Sequence, residues 1–380
     1  MNPGVFVIAD QIIAPLGFTT GENFSSLLSG RSGVSAQVAP SVSELPFYAS
    51  LMPPDWESSL PVFPPGISTK FEKMVFASVN GVLQSSQMDP ADPRLGFILS
   101  TTKGNIELLE QGKVQSPGDL QLFPLAAKLA KTLGFTNTPL VISNACISGL
   151  LAILIGKRMI ASGKYDRVIV CGADVVTKFV LSGFQSFQAV SDTICRPFDK
   201  DRNGINLGEA AATVLLSGEP SSSSANFSVL GGASSNDANH ISGPSRTGEE
   251  LAIAIKKAMG QSMLSRDDLD FVSAHGTATP YNDEMEAKAF QLAGLNHLPT
   301  NSLKGYYGHT LGAAGLLEAI IGMRSLEHGI VLPTLGFSEA GLPVPLSVTD
   351  QLLKIPGRYF LKTTAGFGGC NAAMVFGKYA

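Results

Sequence analysis

The chain has no surplus of charge of either sign. Its 27 Lys and Arg stand against 31 Asp and Glu, for a net charge of -4, and charged residues make up only 15% of the 380. Such a balance offers no global attraction for nucleic acid, so electrostatic recognition has to come from local patches. Cysteine is scarce: Cys146, Cys171, Cys195 and Cys370 are four in a chain of this size, which does not suit a disulfide framework. No C-x-x-C or Cys/His cluster has zinc-ligand spacing, so no metal is expected. Long apolar runs are missing too, since the longest, after Cys146, meets Lys157 and Arg158 before it could cross a bilayer. The opening MNPGVFVIADQ has no basic segment leading an apolar one, which argues against a secretory signal and for a cytoplasmic location. What is plentiful is apolar residues, at 44%, and glycine, at 40. That suits compact α/β packing with closely approaching backbones and argues against disorder.

Short apolar runs predict strands at 5–10, 96–101, 139–143, 167–174, 210–218, 227–235, 269–275, 358–366 and 371–377. Helical patterns lie between them near 69–86, 119–134, 146–162, 248–263, 284–293 and 313–328. The alternation implies a mainly parallel sheet covered on both faces. GEPSSSSAN (218–226) is the most linker-like stretch. AATV at 211–214 and AAMV at 372–375 each close an α/β run, a faint echo of two related halves. Residues 30–66, rich in Pro and Ser, read as an irregular surface excursion.

Several stretches could carry chemistry. In ISNACISGLLAILIGKRMIASG (142–163) a strand turns into a helix with Asn144 as a candidate N-cap and Gly163 as its stop. Cys146 would then fall in the first turn, where free N–H groups favour a thiolate and could bind an oxyanion. A buried structural cysteine is the bland alternative, and Cys171, mid-strand, is read as one. In SAHGTATPYND, His275 ends a strand, the place where open α/β sheets present ligand chemistry, and Thr277 and Thr279 add alternating hydroxyls. Loop hydrogen bonding would explain them equally well. NSLKGYYGHTLGAAGLLEA crowds glycine and alanine around His309, with Lys304 and Glu318 placed to pair in its support. In TTAGFGGCNAAMV, glycines flank Phe367 and permit a tight or mobile loop whose backbone N–H could face a pocket.

Taken in order, NACISG, RPFDKDRNG, HGTATPYND, KGYYGHTLGAAG and GFGGCN resemble the β-ketoacyl-acyl-carrier-protein synthases, condensing enzymes of the thiolase superfamily, and are closest to the elongating type. One such motif is weak; five in order are specific. The resemblance implies a five-layered αβαβα thiolase fold of two similar halves, residues 1–218 carrying the nucleophile and 227–380 both histidines. It makes Cys146 the nucleophile of a Cys-His-His site with His275 and His309, supported by Lys304 and Glu318. Phe367 becomes the gate, its N–H sharing an oxyanion hole with that of Cys146, and Thr277 and Thr279 hold a phosphopantetheine arm. The implied reaction is decarboxylative Claisen condensation of a Cys-bound acyl group with malonyl-acyl-carrier protein. For it, both imidazoles should be neutral N–H donors, and no separate cofactor is needed. A histidine at 309, where priming-type enzymes carry asparagine, points to chain extension.

The implied partners are an acyl carrier protein and a dimer mate, either a second copy or a chain-length-factor-like subunit. Carrier proteins are acidic, so Lys70, Lys73, Arg196, Lys200 and Arg202 are candidate docking residues. The chain departs from the family in being short before Arg196 and in having Ile147, Ala365 and Cys370 near the site. Those changes suggest an unusual acyl chain, unsaturated or aryl-capped. The rival readings are a non-catalytic chain-length-factor-like partner, a thiolase or acyltransferase using coenzyme A thioesters, and a cysteine hydrolase. The first is disfavoured by the presence of Cys146, His275, His309 and Lys304 together. The two threonines and paired histidines disfavour the second. The third lacks a recognisable Asp or Asn orienter.

Overall fold

The computed structural model describes residues 4–221, 226–238 and 243–379. Residues 222–225 of the linker-like stretch lie outside that set. The apolar runs of the first half form β1 (Phe6–Ile13), β2 (Leu95–Ser100), β3 (Leu140–Ile142), β4 (Arg167–Asp174) and β5 (Ala210–Ser217). Those of the second half form β6 (Asn226–Asn236), β7 (Phe271–Ser273), β9 (Tyr359–Gly366) and β10 (Cys370–Tyr379), with a two-residue strand that was not expected, β8 (Thr300–Asn301), between β7 and β9. Hydrogen bonding joins all ten in the order β8-β7-β9-β10-β6-β1-β5-β4-β2-β3. Counted from its outer edge inward, each half runs third, second, fourth, fifth, first strand.

Directions repeat as well. In each half the second strand is parallel to the third and fourth, and the fifth is antiparallel to both the fourth and the first. Within the sheet the halves join where β1 pairs with β6, Phe6 opposite Ser228 and Val7 opposite Phe227. Ala211–Val214 and Ala372–Val375 occupy the fifth strand of their respective halves, so the echo marks equivalent positions. The expected mainly parallel sheet is thereby corrected to a mixed one. β9 and β10 are joined by a three-residue loop, which can only return the chain antiparallel, and hydrophobic periodicity carries no record of strand direction.

Six helices stand where the periodicity placed them: α1 (Lys70–Ser86), α2 (Leu122–Leu133), α3 (Ser148–Ala161), α5 (Glu249–Ser262), α6 (Pro280–Ala293) and α7 (Ala314–His328). Among the described residues four further helices, Thr20–Leu28, Glu107–Glu110, α4 (Lys178–Ser186) and Lys304–Tyr307, were not anticipated. α3 and α7 pack on each other and touch strands of both halves, α1 and α2 cover the first half, and α5 and α6 cover the second. The result is five layers, αβαβα, the thiolase architecture. Gly149 and Gly315 explain how α3 and α7 come so close. A Cβ on Gly149 would sit 2.8 Å from the Gly312 carbonyl, and one on Gly315 would sit 2.9 Å from Thr364 and 3.0 Å from Leu150. Residues 30–66 are more ordered than their composition suggests. Ser35–Gln37 and Phe47–Ser50 make a small sheet with Leu207–Gly208, and Phe47, Ala49 and Trp56 are buried.

Candidate active site

β3 delivers the chain to Cys146 through a tight turn. Ala145 adopts φ +44, a left-handed conformation that side chains other than glycine's rarely take, and turns the next residue off the strand line. The helix itself begins at Ser148, with Ile147 as its cap. Asn144 is therefore not the N-cap; its N–H donates to Ser148 Oγ at 2.7 Å, and Ser148 Oγ donates to the Ala145 carbonyl at 2.7 Å. Gly163, at φ +72 just beyond the helix, is the stop the sequence suggested.

Cys146 is 8% exposed, and burial pushes its thiol up to about 12. The neighbouring Cys370 thiol adds to that shift, while the Lys304 ammonium and a hydrogen bond from the Phe367 N–H act against it. The resting group is a thiol, not the thiolate expected at a helix start, because the helix begins two residues later and the sulfur is out of water. Gly366 is what lets the end of β9 pass so near. A Cβ there would lie 3.0 Å from both the Cys146 backbone nitrogen and the Cys370 sulfur.

His275 follows β7 directly, and its backbone is fixed from α6. Glu286 accepts the N–H groups of His275 and Gly276 at 2.8 and 2.6 Å, and Asp283 accepts that of Thr277 at 2.9 Å. Both carboxylates are fully buried; burial raises the Glu286 carboxyl and lifts that of Asp283 to about 7. Sequence reasoning passed over these two acids, although their places in PYNDEME, a turn apart at the start of a helix, were the available signal. His309 is pinned differently, its N–H donating to the Asn206 carbonyl at 2.6 Å and its carbonyl accepting from Gly208 at 3.0 Å. Gly208 has no alternative, since a Cβ would lie 1.9 Å from the Tyr307 carbonyl. This is the structural work of the RPFDKDRNG stretch, which leads into Asn206–Gly208.

Thus Cys146 Sγ and ring nitrogens of His275 and His309 come within 4.8 Å of one another, all buried. The two imidazoles meet edge to face with centroids 5.0 Å apart. Nδ1 of His309 accepts the Leu311 N–H at 3.0 Å, so the ring proton sits on Nε2, which has no hydrogen-bond partner among the described residues. Nδ1 of His275 lies 3.5 Å from the Lys304 ammonium, which favours the same tautomer there. Burial, followed by the Lys304 charge, holds both imidazoles well below the usual histidine range, so each is neutral at physiological pH.

Lys304 pairs with Glu318 as expected and also donates to the His275 carbonyl at 3.0 Å. A second buried lysine, Lys362 on β9, holds the other oxygen of Glu318 at 2.7 Å and was not anticipated. Thr277 and Thr279 share a hydrogen bond between their hydroxyls at 2.8 Å, on either side of the positive-φ Ala278. Phe367 is 39% exposed and packs against Phe184 and Phe187, at the C-terminal end of α4, with ring centroids 5.6 and 5.4 Å away. Cys370 donates to the Phe367 carbonyl at 3.3 Å and to that of Asn144 at 3.7 Å, tying the loop to the turn before Cys146.

The basic candidates fare unevenly. Lys70 reaches the buried Glu209 carboxylate at 2.9 Å, and Arg202 is buried, donating to the Asp199 and Gly341 carbonyls at 2.9 and 2.6 Å. The Arg202 side chain is thus turned to the interior, whereas Lys70 stays part-exposed beside its buried partner. Lys73 pairs with Glu57 at 2.7 Å, Arg196 with Asp201 at 3.9 Å and Lys200 with Glu339 at 2.6 Å, all part-exposed.

A thiol and two neutral imidazole donors at the meeting of two thiolase-like halves define a thioester-condensing site. Comparison with known proteins agrees. Residues 70–221 match the family described as "Beta-ketoacyl synthase, N-terminal domain" and residues 227–338 "Beta-ketoacyl synthase, C-terminal domain". The chain is 29% identical to 3-oxoacyl-[acyl-carrier-protein] synthase 2 of Vibrio cholerae over 98% of both proteins, and 31% identical to that of Vibrio harveyi over 76% of both. In structure it superposes with a TM-score of 0.89 on a chain of the complex between the ketosynthase ApeO and its chain length factor ApeC from Xenorhabdus doucetiae. That pair is 25% identical, with 99% of this chain and 98% of the other covered. The chain belongs to the β-ketoacyl-acyl-carrier-protein synthase family, elongating type; it is a ketosynthase, an acyltransferase with a Cys-His-His site.

Proposed function

We propose that this ketosynthase extends an acyl chain by two carbons, taking both substrates from the phosphopantetheine of an acyl carrier protein, with Cys146 as nucleophile and no separate cofactor. The observation that carries the reading is the convergence of Cys146, His275 and His309 within 4.8 Å, with His309 Nε2–H buried and unpartnered. In the first half-reaction a neutral imidazole accepts the Cys146 proton. The sulfur then attacks the acyl thioester, and the carrier thiol leaves with a proton. In the second, the malonyl thioester oxygen accepts hydrogen bonds from His275 and His309. As the carboxylate departs as carbon dioxide, its electron pair passes to that oxygen as an enolate. The enolate carbon attacks the acyl carbon, the C–S bond to Cys146 breaks, and the N–H groups of Cys146 and Phe367 hold the transient oxyanion.

Lys304 and Glu318 support the histidines, Thr277 and Thr279 line the phosphopantetheine path, and Phe367 gates it. For docking, the acidic carrier meets the part-exposed Lys70, Lys73, Arg196 and Lys200. The domain division follows the repeated topology, at 218 and 227. β3 is the outer edge of the sheet and half-buried, a surface suited to a dimer mate, either a second copy or a chain-length-factor-like subunit such as the one that accompanies ApeO. No helix of the described residues is long and apolar enough to cross a membrane, and we place the protein in the cytoplasm. The test is intact mass after incubation with acyl-carrier proteins of varied chain length. A stable adduct on Cys146 that malonyl-carrier protein converts to a 3-oxoacyl product is expected, and condensation by Cys146→Ala would refute the assignment.

A further inference from the structure

Lys362 plays no part in the chemistry above, yet it sits at the centre of the site's support. It is fully buried on β9, and its Nζ donates to the carbonyls of Ser273 and Ala274 at 3.1 and 2.9 Å while pairing with Glu318 Oε2 at 2.7 Å. Lys304 donates to the next carbonyl, that of His275, at 3.0 Å and pairs with Glu318 Oε1. Three consecutive carbonyls ending at His275 are therefore held by two ammonium groups that share one carboxylate.

We propose that Lys362 is a positioning residue for the histidine pair, an internal cation that fixes the backbone leading into His275 and holds Glu318 between two charges. This rests on reading His275 and His309 as the donors to the malonyl thioester. An apolar side chain of similar length would fill the space but leave two carbonyls without their donor and a buried carboxylate oxygen without its ion-pair partner. The charge matters as well as the contacts. Lys362 acts with Lys304 to disfavour protonation of both imidazoles. Besides Lys304, the titratable groups acting on it are Glu318 and, from α6 across Thr363, Glu286; Tyr307 acts on Glu318 and not on the lysine.

The experiment compares Lys362→Met, Lys362→Gln and Lys362→Ala with the wild type. It measures carbon dioxide release from malonyl-carrier protein across pH and the rate of Cys146 acylation by mass. Decarboxylation is expected to fall by about tenfold to a hundredfold, by more than acylation falls, with its acid limb at higher pH than in the wild type. Ammonium chloride should restore part of the activity of Lys362→Ala, and tetramethylammonium chloride at equal ionic strength should not. Lys362→Gln keeps a donor for the carbonyls, so it carries the test should Lys362→Met fail to fold. Wild-type decarboxylation and an unmoved acid limb in the variants would overturn the proposal. So would an equal loss of both half-reactions with no ammonium response. A wild-type protein that neither acylates nor decarboxylates would instead overturn the ketosynthase chemistry itself.

Discussion

The Leu311 N–H donates to Nδ1 of His309 at 3.0 Å, and this one contact decides which ring nitrogen of His309 faces the pocket as a donor. Leu311 can offer its amide inward because it adopts φ +51 just before the short turn into α7. The catalytic tautomer is thus set by backbone geometry and needs no acidic partner.

Removing that donor should separate the two half-reactions. His309→Ala is expected to lower malonyl decarboxylation by about a hundredfold to a thousandfold, the usual effect of deleting one oxyanion donor. Acylation of Cys146 should suffer far less, because the sulfur and the Cys146 and Phe367 amides remain. Carbon dioxide release and intact mass report the two steps independently. Equal loss of both would deny His309 its specific role.

The imidazole shifts fix the sign of the pH dependence. A neutral His309 donates through Nε2 while its Nδ1 accepts the Leu311 N–H; protonation would set two N–H groups against each other there and turn the Nε2 donor out of place. Because burial and the Lys304 charge hold both rings well below the ordinary 6.5, acidification through 6.5 should leave them neutral. Decarboxylation by the wild type is therefore expected to stay level as pH falls through that value and to fail only at lower pH. A drop centred near 6.5 would mean the rings titrate as though in water.

Much of this was legible in the sequence because the chemistry sits at punctuated positions. Cys146, His275, His309 and Phe367 each lie where a strand ends or a glycine-rich turn begins, and the helices and strands around them carry clean periodicity. What the sequence hid has three causes. Strand direction leaves no imprint on hydropathy, so the antiparallel fifth strands went unseen. Buried charges such as Lys362, Glu286 and Asp283 look in a sequence like surface residues, and only the fold shows them facing the backbone beside His275. Arg202 belongs with them, a charge at the surface in the sequence whose side chain is buried on the Asp199 and Gly341 carbonyls.

The aromatic contacts of Phe367 lead to the last prediction. Its ring packs on Phe184 and Phe187, in geometries that contribute roughly 0.5–1.5 kcal/mol per pair. Phe187 is itself 56% exposed, so replacing it removes the contact without opening a core cavity. Losing about 1 kcal/mol of support should raise the open population of the Phe367 loop about fivefold. At fixed pH, Phe187→Ala should therefore let a bulky maleimide reach Cys146 about fivefold faster, with little change for a small alkylating agent that needs no opening. Phe367→Ala should speed the bulky reagent at least as much, and adding Phe187→Ala to it should then change nothing further, because the contact being tested is already gone. If the two substitutions instead multiplied, Phe187 would be guarding the sulfur by a route that does not pass through Phe367.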